Sequence, residues 1–113
     1  MENKERQRYV LFKIIADEKF EGDKLIHAIW RQLFQLYGEY GTSQTGLWLV
    51  EYKKENNYGI LRTNIMALSM VRTTLASIQK IDEKNCILVV QGVSGTIHAV
   101  KKKHLSKIIS NSQ

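Results

Sequence analysis

The sequence predicts an α+β sandwich of the ferredoxin-like type, β-α-β-β-α-β, with a four-stranded antiparallel sheet and an extra C-terminal helix. Three observations carry this. Four short runs are rich in β-branched and aromatic residues, as strands are. Two stretches between them repeat apolar residues at helical spacing. The second and third strand-like runs are separated only by the polar "KKENN", so they pair as an antiparallel hairpin.

The elements follow in order. "RYVLFKII" (8–15) reads as the first strand and "ADEKFEG" as a loop. Asp23 is placed to cap a helix over 24–37, with Leu25, Ile29, Leu33 and Leu36 on one stripe. Ile26, Trp30, Phe34 and Tyr37 widen that stripe beyond what two layers need, so Trp30 and Phe34, with Trp48, are candidates for partner binding. "YGEYGTSQTG" (37–46), with three glycines, reads as a loop. "LWLVEY" (47–52) and "YGILRT" (58–63) are the hairpin strands. Asn64 is positioned to cap a second helix over 65–81, with Leu68, Val71, Leu75 and Ile78 inward. Its outer side carries Ser69, Arg72, Thr73, Ser77 and Lys80 and no acid. "CILVVQGV" (86–93) is the fourth strand, and 96–109 can form a basic amphipathic helix.

The strands are apolar on both faces. In the first, Val10, Phe12 and Ile14 alternate with Tyr9, Leu11 and Ile15. Two helices cover one face only, so the terminal helix or a partner must cover the other.

With 113 residues, 43% hydrophobic and 25% charged, the chain suits one globular domain, 1–113, with a basic N-terminal arm (1–7) and a basic C-terminal tail (96–113). The net charge of +6 favours an anionic partner, nucleic acid before an acidic membrane surface. A lone cysteine, Cys86, allows no intramolecular disulfide and fits a reducing compartment. The N-terminal stretch lacks the apolar core of a signal peptide. No segment approaches the roughly 18 apolar residues of a membrane span. The expectation is a soluble, cytoplasmic protein without a membrane partner.

Catalytic motifs do not form. Ser94 in "GVSG" is followed directly by Gly95, which breaks the spacing of a nucleophile elbow. Gly59, Gly92, Ser94, Gly95 and Thr96 are read instead as structural turn positions. Cys86, His27, His98 and His104 lack metal-ligand spacing, so no metal or cofactor is expected on the protein. "GTSQTG" lacks the lysine of a P-loop, but its backbone and hydroxyls are candidate phosphate donors. The basic residues are the strongest signal. Arg6, Arg8, Lys13, Arg62, Arg72, His98, Lys101, Lys102, Lys103 and Lys107 are the candidate RNA contacts. If the faces bearing Tyr9 and Lys13 and bearing Tyr58 and Arg62 coincide, aromatics and cations interleave as on RNA-binding sheets.

"RYVLFKII", "YGEYGTSQTGLWLVEY", "YGILRT", "VRTTLASIQKI" and "VVQGVSGTI", in this order, resemble the protein component 2 family of archaeal ribonuclease P, the counterpart of a small eukaryotic ribonuclease P/MRP subunit family. The resemblance runs from about Arg8 to Leu105. "GILR" (59–62) and "GVSGTI" (92–97) are its most specific pieces. It implies a ferredoxin-like fold and a place in a ribonucleoprotein that removes the 5′ leader from precursor tRNA, the RNA subunit hydrolysing with Mg²⁺. It further implies ribonuclease P RNA and protein component 3 as partners, with self-association into a heterotetramer, and a protein non-catalytic by itself. The chain departs from the family after "GILR", where Thr63, Asn64 and Ile65 replace a common cysteine and basic residue. His98 likewise stands where a permanent cation is usual and carries less charge at pH 7. A competing reading from the fold alone is a regulatory module that binds a small metabolite; the basic excess is superfluous for it.

Overall fold

The computed structural model describes residues 6–106 and 108. The first strand, β1 (Gln7–Ile15), leads into α1 (Gly22–Ser43). β2 (Trp48–Lys53) and β3 (Tyr58–Asn64) form the hairpin, and α2 (Leu68–Ser77) follows. A small hairpin, β4 (Lys80–Ile81) and β5 (Lys84–Asn85), precedes β6 (Ile87–Ser94). The chain then enters α3 (Ile97–Val100), which runs on as a π-helical segment, Lys101–Leu105. The main sheet has the order β2-β3-β1-β6, all antiparallel, which is the expected ferredoxin-like arrangement.

The helix ends differ from the expectation in three places. α1 runs past residue 37 to Ser43 because the chain bends at Gly38 and resumes its helix; Gly38 takes φ +77°, which a glycine adopts without steric cost. Asp23 is not the cap: Glu21 is, without a side-chain bond, and Asp23 lies in the first turn. α2 stops at Ser77 rather than 81, because the chain turns into the β4–β5 hairpin through Asp82 and Glu83, both left-handed. Asn64 caps as expected: its Oδ1 accepts from Ala67 N at 3.1 Å, at the head of a 3₁₀ turn that opens α2.

The sheet has a core on each face. On one, Val10, Phe12 and Ile14 of β1 meet Leu25, Ile29 and Leu33 of α1, Val71 and Leu75 of α2, and Leu88 of β6. Leu36 and Phe34 point outward. The other face carries a smaller cluster, Leu11, Tyr58 and Ile60 beneath Val100 and Ile108. The terminal helix therefore supplies the cover that apolar strands on both faces demanded. No helix among the described residues is long and apolar enough to cross a membrane. Cys86 is buried and unpaired, and burial pushes its thiol pKa up, away from the reactive thiolate.

Candidate nucleic-acid interface

On the α3 face, strand register lines residues up in rows across all four strands, in the order β2-β3-β1-β6. The first row is Trp48–Arg62–Tyr9–Ser94. The second is Glu51–Ile60–Leu11–Gly92, and the third Lys53–Tyr58–Lys13–Val89. Bulges at Val50 and Gln91 keep the edge strands in step with the central pair. The condition on the faces is met: Tyr9 stands opposite Arg62, and Lys13 opposite Tyr58. Directly opposed residues share a face with Cβ atoms about 5 Å apart, so aromatics and cations alternate there.

The sheet surface is nevertheless not open. α3 lies across the second row and meets it from edge to edge. Lys101 Nζ donates to Glu51 Oε1 at 3.0 Å, and Val100 is buried with Ile60 and Leu11. The His104 ring sits over Gly92 so closely that a Cβ there would come within 2.1 Å of it. Tyr58 is buried in the third row and its hydroxyl donates to Glu51 Oε2 at 2.9 Å. Glu51 is thus a two-sided acceptor that ties α3 and β3 together. Burial pushes its carboxyl pKa up, but the hydrogen bonds from Lys101 and Tyr58, with the charges of Lys101 and Lys53, outweigh this and hold it below the usual value. Tyr58 is pushed up to about 12, by burial first and by the Glu51 carboxylate second.

The glycines act by clearance more than by turning. Gly92 and Ser94 lie within β6, not at its turn, and Gly92 makes room for His104. Gly59 lies within β3 beneath the Phe12 ring, where a Cβ would come within 2.8 Å of Cζ. Gly95 follows the strand without a left-handed backbone or a close neighbour, and Thr96 caps α3, its Oγ1 accepting from Ala99 N at 3.0 Å. Ser94 is buried, and its hydroxyl has no hydrogen-bond partner among the described residues.

The candidate phosphate loop is bonded to β3. Thr45 Oγ1 donates to Thr42 O and accepts from Leu47 N. The carbonyls of Gln44 and Thr45 receive Asn64 Nδ2 and Thr63 Oγ1. The carbonyls of Gln44 and Thr45 therefore tie the loop to β3, and the Thr45 hydroxyl is engaged within the loop, while the Thr42 hydroxyl is buried without a hydrogen-bond partner among the described residues. Thr63 and Asn64, which follow "GILR", supply those bonds.

The expected cations do not form one patch. Arg62, Lys13 and Lys101 lie on the α3 face, and Lys101 is engaged by Glu51. His98, Lys102 and Lys103 are exposed on the terminal helix. Arg72 is exposed on α2, with Ser69 and Thr73, on the opposite side of the sheet. Arg6 and Arg8 flank the start of β1; Arg8 donates to the carbonyl of Gln7. Lys107 lies outside the described residues, as do residues 1–5 of the expected arm. Near the acidic loop, Glu21 pairs with Lys54 and Glu18 with Lys84. Among the described residues no cluster of His, Cys, Asp or Glu is arranged to hold a metal ion.

Of the three candidate partner residues, Trp30 and Trp48 line one cleft of about 440 Å³ with Ile26, His27 and Leu49. Phe34 lies one helical turn beyond Trp30, half exposed. Sequence reasoning missed Glu51 and His104. Glu51 interrupts an apolar strand, which is a weak mark of an acid with a buried role; nothing in the sequence linked His104 to Gly92.

Comparison with known proteins gives a consistent picture. The sequence pattern of the Rpp14/Pop5 family matches residues 8–105. Ribonuclease P protein component 2 of Pyrococcus furiosus is 33% identical over 104 residues, covering 92% of this chain and 87% of that one. The protein of the same name from Methanocaldococcus jannaschii is 36% identical, covering 90% of this chain and 75% of that one. A chain in a cryo-EM structure of yeast ribonuclease MRP superimposes with a TM-score of 0.68 at 9% identity, covering 99% of this chain and 95% of that one. At that identity the last likeness speaks to the fold alone.

Proposed function

The chain belongs to the Rpp14/Pop5 family, and from this premise we propose that it is a protein subunit of ribonuclease P that binds the catalytic RNA and assists removal of the 5′ leader from precursor tRNA. The observation that carries the reading is the match over nearly the whole chain to archaeal proteins named ribonuclease P protein component 2. The charge of +6 and the exposed cations of the terminal helix support it, since basic side chains neutralise RNA phosphates. In this reading the RNA subunit performs the hydrolysis with Mg²⁺, the protein holds no cofactor, and its cations lower repulsion between the two RNAs. The cleft of Trp30 and Trp48 is the surface offered to protein component 3 or to a second copy within a heterotetramer, and the assembly works in the cytoplasm.

Reconstitution with ribonuclease P RNA at limiting Mg²⁺ tests this. Adding the protein is expected to raise the cleavage rate and lower the Mg²⁺ required. An unchanged rate and Mg²⁺ demand would sink it, as would cleavage of precursor tRNA by the protein with no RNA subunit present.

A further inference from the structure

The terminal helix leaves the first row of the α3 face partly open, with Trp48 exposed and Arg62 and Tyr9 half-buried. α3 crosses the second row, and in the third the aromatic residue, Tyr58, is buried although Lys53 is exposed. At the β2 edge of the first row Trp48 is 60% exposed. Arg62 lies beside it, between two aromatic residues, Trp48 on β2 and Tyr9 on β1. Its Nε is buried without a hydrogen-bond partner, and no ion pair holds it among the described residues. Glu51, the acid of the neighbouring row, is already taken by Lys101 and Tyr58.

We propose that this lip, Trp48–Arg62–Tyr9, binds one unpaired nucleotide of an RNA, its base stacked on Trp48 and its phosphate paired with Arg62. The assignment rests on the RNA-binding reading above and deepens it. An exposed indole accepts any base by its π-face, which a base inside a duplex does not present. A half-buried arginine without an acid needs an anion, and the nucleotide brings one. An apolar protein segment laid across the whole lip, rather than seated in the cleft beside it, satisfies the indole but buries Arg62 further with no counter-charge, which is costly. The Trp30–Trp48 cleft meets the lip at Trp48, so a protein seated in that cleft and a nucleotide on the lip would approach each other there.

The chain has two tryptophans, so W30F leaves Trp48 as the sole tryptophan, read by excitation at the red edge where tyrosine does not absorb. A short single-stranded oligoadenylate, added at low salt, is expected to quench Trp48 emission strongly. A blunt RNA duplex of similar length is expected to bind without quenching. W48L, at an exposed position, is expected to weaken single-strand binding about tenfold and to leave duplex binding unchanged; W48F should restore most of the loss. R62Q should weaken single-strand binding and lower its salt slope by about one. Trp48 emission unmoved by single strands, with equal binding of strand and duplex, overturns the proposal and leaves the ribonuclease P role standing, since that role is read by reconstituted cleavage. Emission moved only by the partner protein also overturns it and gives the lip to a protein.

Discussion

On one face of the sheet α1 and α2 bury Val10, Phe12, Leu25, Ile29, Leu33, Leu61, Val71 and Leu75 almost completely. On the other, the buried cluster among the described residues is smaller: Leu11, Tyr58 and Ile60 beneath Val100 and Ile108. Around it stand the partly buried Tyr9, Val50 and Leu105, the Lys101–Glu51 ion pair braced by the Tyr58 hydroxyl, and a histidine ring seated on a glycine. The first face is held by apolar area, which neither titration nor charge screening weakens. The second depends on a partly exposed polar tie and a steric fit, so it can be loosened while the first persists. Regions with few buried apolar contacts open at lower free energy than the global fold. The same face carries the cations and aromatics that are proposed to meet RNA.

The largest effect should come from the first face. Phe12→Ala removes a fully buried ring and leaves a cavity over Gly59. It should cost about 3–5 kcal/mol, read by urea denaturation as a lower midpoint for the whole domain. A loss confined to α3 would break the comparison, because it would mean that the two faces do not differ in kind.

Gly92→Ala attacks the second face. The new methyl collides with the His104 ring, and the strand cannot yield without losing its pairing to Leu11. The cost should be about 2–3 kcal/mol, concentrated in α3 and visible as faster hydrogen exchange of its amides before β1 and β3 respond. Pairing it with His104→Ala should recover most of the loss in a double-mutant cycle, since the smaller side chain removes the collision. Additive losses would show that the ring and the glycine are independent.

The sequence made the first face legible and left the second half-read. Val10, Phe12 and Ile14 alternate, and Leu25, Ile29 and Leu33 repeat at helical spacing, so the main core was written in periodicity. Apolar residues on the opposite face required a cover, but periodicity cannot choose between a terminal helix and a partner. Contacts made through tertiary closeness leave little local trace: His104 is twelve residues from Gly92 and meets it only because α3 folds back over β6. Gly38 misled because its neighbours are glycine-rich; the helix resumes beyond it, with Thr42 buried. The β4–β5 turn misled because Asp82–Glu83 is not the Asn-Gly or Asp-Gly pair that marks such turns. The cations were all visible, but their division between α2 and the α3 face follows from topology.

Glu51→Gln breaks the tie directly and should cost about 1–2 kcal/mol at neutral pH, since hydrogen bonds to a charged group are stronger than neutral ones. The folded carboxyl pKa is lowered from 4.5, so its contribution is fully present above that unfolded value and fades as pH falls through the folded one. The variant should therefore lose less stability than the parent between neutral and strongly acid pH. Equal acid sensitivity would mean that other carboxylates carry it.

The smallest expected change, Tyr58→Phe, separates the hydroxyl from the ring. The ring stays buried with Leu11 and Ile60, so the apolar cluster survives and only the bond to Glu51 is lost, about 1 kcal/mol. The sign with pH is opposite to that of Glu51. The folded hydroxyl pKa is pushed up from 10.0 to about 12, so the native state holds a proton that the unfolded chain releases. Its contribution is present below pH 10 and is lost as pH rises toward 12. Absorbance titration should show one late-ionising tyrosine fewer in the variant, and its stability should fall less steeply above pH 10. If the alkaline slope is unchanged, Tyr58 is not what couples α3 to β3, and the tie reduces to Lys101 and Glu51 alone.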